Sequence, residues 1–98
     1  MSLDLKELIN KLVNAMVIAN TETYTGTTSA YGAIDISSKV DSSATVIAVT
    51  SSNNAHLCIP WLYLTTSDEL KWFVKVVNWQ NMSAITNTSV TLTIRYIA

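Results

Sequence analysis

Ninety-eight residues allow one domain with a thin core, because a chain this short buries only about two-thirds of the surface its unfolded form exposes. Hydrophobic residues make up 49% of it, but charged residues only 13%, against a usual share of about 25%, and Ser, Thr and Asn take their place. A net charge of −1 with Lys6, Lys11, Lys39, Lys71, Lys75 and Arg95 dispersed gives no basic stripe for nucleic acid, one cysteine excludes an internal disulfide, and no run approaches the roughly 18 apolar residues of a membrane span.

The chain begins with apolar residues at steps of four and three: Leu5, Ile9, Leu12, Met16 and Ala19. This spacing predicts a helix over 3–18 that buries one stripe, with Ser2 as N-cap and Asp4 and Glu7 complementing the positive helix end. Leu8, Val13 and Ala15 widen the stripe, and Asn20, Thr21 and Thr23 end the helix. An isolated helix of this length is marginal in water, so something must cover it, either the domain's own sheet or copies of the same helix. Because Asp4, Lys6, Glu7, Asn10, Lys11 and Asn14 interrupt the apolar residues, the segment does not read as an export signal.

Beyond Asn20 the period changes to two. Residues 24–29 are Thr-rich and read as a loop or an irregular edge strand, and 32–36 as a short strand closed by the turn material of 37–43. The nearly continuous apolar run 44–50 predicts a strand buried on both faces. Leu57, Ile59, Trp61 and Tyr63 share one face of the next strand, where Pro60 marks a bulge or an edge. In the strand 70–79, Leu70, Trp72, Val74 and Val76 form a core face, while Phe73, Val77 and Trp79 with Lys71 and Lys75 form the other. Residues 80–87 read as polar loop, and 88–97 as a closing strand with Val90, Leu92, Ile94 and Tyr96 inward. The expected fold is mainly β: an antiparallel β-sandwich or barrel of five to seven short strands, preceded by one N-terminal amphipathic α-helix. Residues 1–20 are then an oligomerisation helix and 21–98 a β-sandwich head domain.

Chemistry is hard to find. His56 has no ligand at metal-binding spacing, no nucleophile elbow or phosphate-binding glycine loop occurs, and Asp35, Asp41, Asp68 and Glu69 fall in or beside turns. Cys58 reads as a small apolar strand residue. The sequence therefore predicts no enzyme, no metal and no cofactor. Binding has better support, because Phe73, Val77 and Trp79 on a second apolar face would exceed the patch a monomer usually exposes. A second sheet or another subunit must cover them, so the expected oligomer interface is Leu5, Ile9, Leu12, Met16, Phe73, Val77 and Trp79. For a sugar ligand the candidates are Asn53, Asn54 and His56 with Trp79, Gln80 and Asn81, all at strand-loop junctions.

A helix leading into a Ser/Thr/Asn-rich β domain, with the segments AYGAIDIS (30–37), ATVIAVT (44–50), WFVKVVNW (72–79) and the closing VTLTIRYI (90–97), resembles the C-terminal head domains of bacteriophage tail-fibre and receptor-binding proteins. That resemblance implies a homotrimer, whose heads bind a bacterial surface polysaccharide or protein, in a virion assembled from chains made in the bacterial cytoplasm. The heptad itself, with Ile9 at a and Leu5 and Leu12 at d, favours dimers instead. Other readings are a purely structural or assembly protein of the particle, or a small carbohydrate-binding accessory domain.

Overall fold

The structure, a computed structural model, describes residues 4–17 and 19–98, with side chains described for 4–12 and 19–98. Helix α1 spans Leu5–Val17, and six strands follow: β1 Asn20–Thr27, β2 Ala33–Asp35, β3 Thr45–Ser51, β4 His56–Leu64, β5 Leu70–Asn78 and β6 Ser89–Ile97. They form two antiparallel three-stranded sheets, β1-β6-β3 and β2-β5-β4, with β6 and β5 central. The chain is thus a mainly β, two-sheet sandwich led by one short helix.

The core lies between the central strands. Val74 and Val76 of β5 and Leu92 and Ile94 of β6 have no exposed surface, and Ile34, Ile36, Val40, Ala44, Val49 and Val90 complete the same cluster. The alternation of inward Val90, Leu92 and Ile94 with outward Thr93 and Arg95 is the period-two pattern that the sequence carries. Trp72 closes one end of the core, where its indole Nε1–H donates to the Ala44 carbonyl at 3.1 Å. This bond links the two sheets and satisfies the group that a half-buried tryptophan must pair. Thr28, the buried polar residue of this core, exchanges bonds with Thr88: Thr28 N–H donates to Thr88 O (2.8 Å), and Thr88 N–H to Thr28 Oγ1 (2.9 Å).

Several sequence expectations change. The helix is capped at Asp4, whose Oδ1 accepts from Lys6 N–H at 3.1 Å; the expected cap Ser2 and the expected interface residue Met16 lie outside the described residues and side chains. β1 is neither loop nor irregular, since all eight of its residues pair with β6. β3 is an edge strand and is not buried on both faces. A bulge between Val46 and Ala48 shifts its register by one residue, so Val46 and Val49 both face the core and Ile47 is exposed. That one-residue shift makes a half-buried strand look continuously apolar. Leu70, expected in the core, is 50% exposed, as are Leu62 and Leu64 to similar degrees, because the β4–β5 hairpin extends beyond the buried cluster. Val77, expected at an oligomer interface, is only 3% exposed. Residues 79–87 fold back along β5 past the end of β2, where Val77 pairs with Ala84 and Ile85 N–H donates to Val76 O at 2.9 Å.

Gly32 makes that fold-back possible. Its φ is +77°, and a Cβ added there would stand 2.9 Å from the Val76 carbonyl oxygen and 3.1 Å from the Ala84 Cβ. The neighbours are backbone and a packed side chain, so they cannot move aside cheaply. Replacing Gly32 with Ala should cost about 2 kcal/mol from left-handed backbone plus crowding, read as a Tm lower by roughly 10 °C in a thermal melt. An unchanged Tm would show that the Gly32–Val76 approach is not tight.

Candidate functional site

The alternation in β4 and β5 puts large apolar groups on both faces of sheet β2-β5-β4. Ile34, Val74 and Val76 point into the core cluster, with Cys58 and Trp72 packed against it. The opposite set faces outward in register: Trp61 beside Phe73 beside Asp35, Ile59 beside Lys75 beside Ala33, and Tyr63 beside Lys71. Cross-strand neighbours on one face stand close enough for aromatic rings to touch. The Trp61 and Phe73 rings stack at 5.7 Å and 26°, while Tyr63 meets Phe73 edge-on at 5.6 Å and 85°. Tyr31, Ala33 and Lys75 complete a groove of about 250 Å³ around these three rings.

Tyr31 reaches the groove from a tight turn. Ser29 Oγ accepts from both Tyr31 N–H (3.1 Å) and Ala33 N–H (3.2 Å), and Gly32 N–H donates to Ser29 O at 3.0 Å. That turn presents Tyr31 with 80% of its surface exposed. On the other flank Lys71 lies 3.9 Å from an Asp35 carboxylate oxygen and 3.8 Å from one of Glu69, so its charge is locally balanced.

The outward face of sheet β1-β6-β3 is written differently. Thr23 pairs with Thr93, Thr25 with Thr91 and Thr50 with Thr93, and the Thr25 and Thr91 hydroxyls lie 3.0 Å apart. One chain therefore presents a threonine face and an aromatic face on the two sides of the same sandwich. Thr is the residue type that suits a solvated strand surface, and half-exposed stacked aromatics with Leu57 and Ile59 beside them do not.

The sequence-expected ligand residues come together elsewhere. His56 pairs with Asn78, and Trp79 N–H donates to Ala55 O, so the turn holding Asn53 and Asn54 lies beside the turn holding Trp79, Gln80 and Asn81. Their polar groups are mostly occupied in shaping those turns. Asn53 Oδ1 accepts from Ala55 N–H, Asn81 Oδ1 from Ser83 N–H, and His56 Nδ1 lies 3.2 Å from Ser51 Oγ. Trp79 remains 57% exposed. Of the expected interface set, Leu5, Ile9 and Leu12 are exposed on α1 and Phe73 is half-buried in the groove. Of the groove residues, sequence reasoning singled out only Phe73; Trp61 and Tyr63 were placed together on one face, and their alternation with Cys58, Pro60 and Leu62 was visible, but not which set faced outward.

No group of three His, Cys, Asp or Glu side chains that could hold a metal ion occurs among the described residues. No helix of the described residues is long and apolar enough to cross a membrane. Comparison with protein-family models, curated proteins and solved structures found no match for this chain.

Burial of Cys58 against the core pushes its thiol pKa up from 9.0 to about 11. The neutral thiol is favoured in the folded state, so this contribution to stability is complete below pH 9 and is lost as the pH rises through 11. At pH 8, Cys58 should react with iodoacetamide at least tenfold more slowly in the native protein than in denaturant, followed by mass spectrometry. Equal rates would place the thiol outside the core.

Proposed function

We propose that this chain is a non-enzymatic, homo-oligomeric binding domain of a virus particle, of the kind that the resemblance to bacteriophage tail-fibre heads implies. Copies associate through α1, and each head presents the outer face of sheet β2-β5-β4 to a bacterial surface glycan. The observation that carries this reading is the contrast between the two outward sheet faces, threonine on one and a grooved aromatic surface on the other. Solvent alone would be served by threonine on both.

The helix supports the assembly half. Leu5 is 69% exposed and Leu12 59%, with Leu8 and Ile9 close behind, so the described part of the stripe, up to Leu12, is uncovered within the monomer. A 13-residue helix is marginal without tertiary cover, and the stripe repeats at the spacing of a helical bundle. A trimer comes from the family resemblance. Light scattering on the eluted protein should give three times the 10.7 kDa of the chain, and Ile9→Asp with Leu12→Asp should return it to one. A monomer at micromolar concentration in the unaltered protein would overturn the assembly.

The glycan half rests on Trp61, Phe73 and Tyr63. Trp61→Ala removes the stacked platform while leaving the core-facing set of β4 in place. It should lower binding to bacterial cell walls at least tenfold in a pull-down, with the far-UV spectrum and mass unchanged. A second reading has Leu57 and Ile59 in its favour, since they extend the apolar face beyond the groove and suit burial under another copy in a purely structural particle protein. In that case Trp61→Ala would lower the oligomer mass and cell walls would not bind.

A further inference from the structure

Two apolar surfaces that a single copy leaves open lie at the same end of the sandwich. Asn20 pairs with Tyr96 and Thr45 with Ile97, so β1 begins, β3 begins and β6 finishes at one end of their sheet, and the Trp72–Ala44 bond sets the start of β5 at that end of the other sheet. There the β4–β5 hairpin runs on for two more residue pairs, Tyr63 with Lys71 and Leu64 with Leu70. Leu62, Leu64 and Leu70 share the inward side of β4 and β5 with Val74 and Val76, yet they are 41%, 56% and 50% exposed because they overhang the end of the core. Helix α1 leads into β1 through residues 18 and 19 at this same end, with Leu5, Leu8, Ile9 and Leu12 exposed. We propose that this leucine ledge holds helix α1 of a second copy, so that each helix of the oligomer is gripped both by its fellow helices and by a neighbour's hairpin. This inference rests on the association through α1 given above and names the part of the head that joins it.

The helix needs more cover than other helices can give. Its 13 residues hold fewer than two heptads, against the three or four that sustain a coiled coil, and Leu8 stands beside the seam of Leu5, Ile9 and Leu12 rather than in it. A bundle that closes on the seam leaves Leu8 at its flank, where a neighbouring head can reach it. Charge fits the same approach. Lys11 is three positions from Leu8 and so lies on that flank, where Asp4 is occupied in capping Lys6 N–H. Asp68 stands in the turn that joins Leu64 to Leu70, where Glu69 lies 3.8 Å from Lys71. Lys11 against Asp68 is an exposed pair, which orients the approach more than it adds affinity. Both surfaces are aliphatic, and the ledge offers no ring for a sugar to stack on. Because the ledge is on the inner side of β4 and β5, a helix seated there leaves the aromatic groove on their outer side open.

Light scattering over a dilution series of the full chain, with Leu64→Thr and Leu70→Thr together, tests the ledge; threonine keeps the strand propensity of the hairpin. The variant should keep its far-UV spectrum and dissociate at concentrations about tenfold or more above those of the unaltered protein. Crosslinking identifies the occupant. In a Cys58→Ala background, a chain carrying Leu8→Cys is mixed with one carrying Leu70→Cys and treated with a short bismaleimide, and mass spectrometry should find peptides joined through positions 8 and 70 of different copies. An unchanged dissociation curve for the threonine variant, while Ile9→Asp with Leu12→Asp still splits the oligomer, would overturn the ledge and leave association through the helix in place. A monomer in the unaltered protein would overturn both. Easier dissociation without the joined pair would assign the hairpin to another contact and overturn α1 as its occupant. A single chain carrying both cysteines that closes on itself, where the mixture gives no joined pair, would show that the ledge takes its own helix and overturn the second copy.

Discussion

The packing of β5 against β6 is the contact on which everything else in this molecule depends. Each is the middle strand of its sheet, and Val74, Val76, Leu92 and Ile94 are the residues through which the two sheets exclude water. At about 25 cal/mol per Å² of apolar surface, a core of ten residues leaves little stability to spare. The fold compensates with polar closure at its ends. Trp72 bonds across to Ala44 on one side, and Thr28 and Thr88 bond reciprocally on the other, so neither end of the core buries an unpaired polar side chain.

The outer aromatic face follows from the same central strand. Once Val74 and Val76 are committed inward, Phe73 and Lys75 must face outward, and the antiparallel register sets Trp61 and Ile59 beside them. No loop has to be ordered to build the groove floor. Only Tyr31 is brought in by a turn, and that turn is fixed by Ser29 and Gly32. A surface made from paired strands is stiff, so a ligand would meet it preformed and lose little entropy in ordering it.

How much of this could be read from the residues depended on how much one local pattern decides. β6 was legible because its two faces differ in polarity, Val90, Leu92 and Ile94 against Thr91, Thr93 and Arg95. β5 was oriented from its sequence, with Trp72, Val74 and Val76 inward, but Leu70 was placed in the core because nothing local shows that the hairpin runs past the buried cluster; β4 could be recognised as a strand but not oriented, so Trp61 and Tyr63 were not placed at the surface. β3 misled through its bulge, and β1 through threonines that read as a loop or an irregular edge strand but form a regular one. Val77 was lost to a tertiary event, the return of Ala84 along β5, which nothing near Val77 in the sequence announces. The Asn-rich turns were visible as turns, and their side chains turned out to serve the turn geometry itself.

Two open sheets have four edges, and each edge strand here carries its own obstacle to pairing with a stranger. β4 has Pro60, which offers no N–H; β3 is kinked by its bulge; β2 is only three residues long; and β1 is polar throughout except for Tyr24 and Gly26. Most proteins guard such edges with lysines and other charges, which this chain scarcely has. Its protection against amyloid-like stacking therefore rests mostly on backbone geometry, and it should persist at ionic strengths where charge-guarded proteins of similar size would begin to clump.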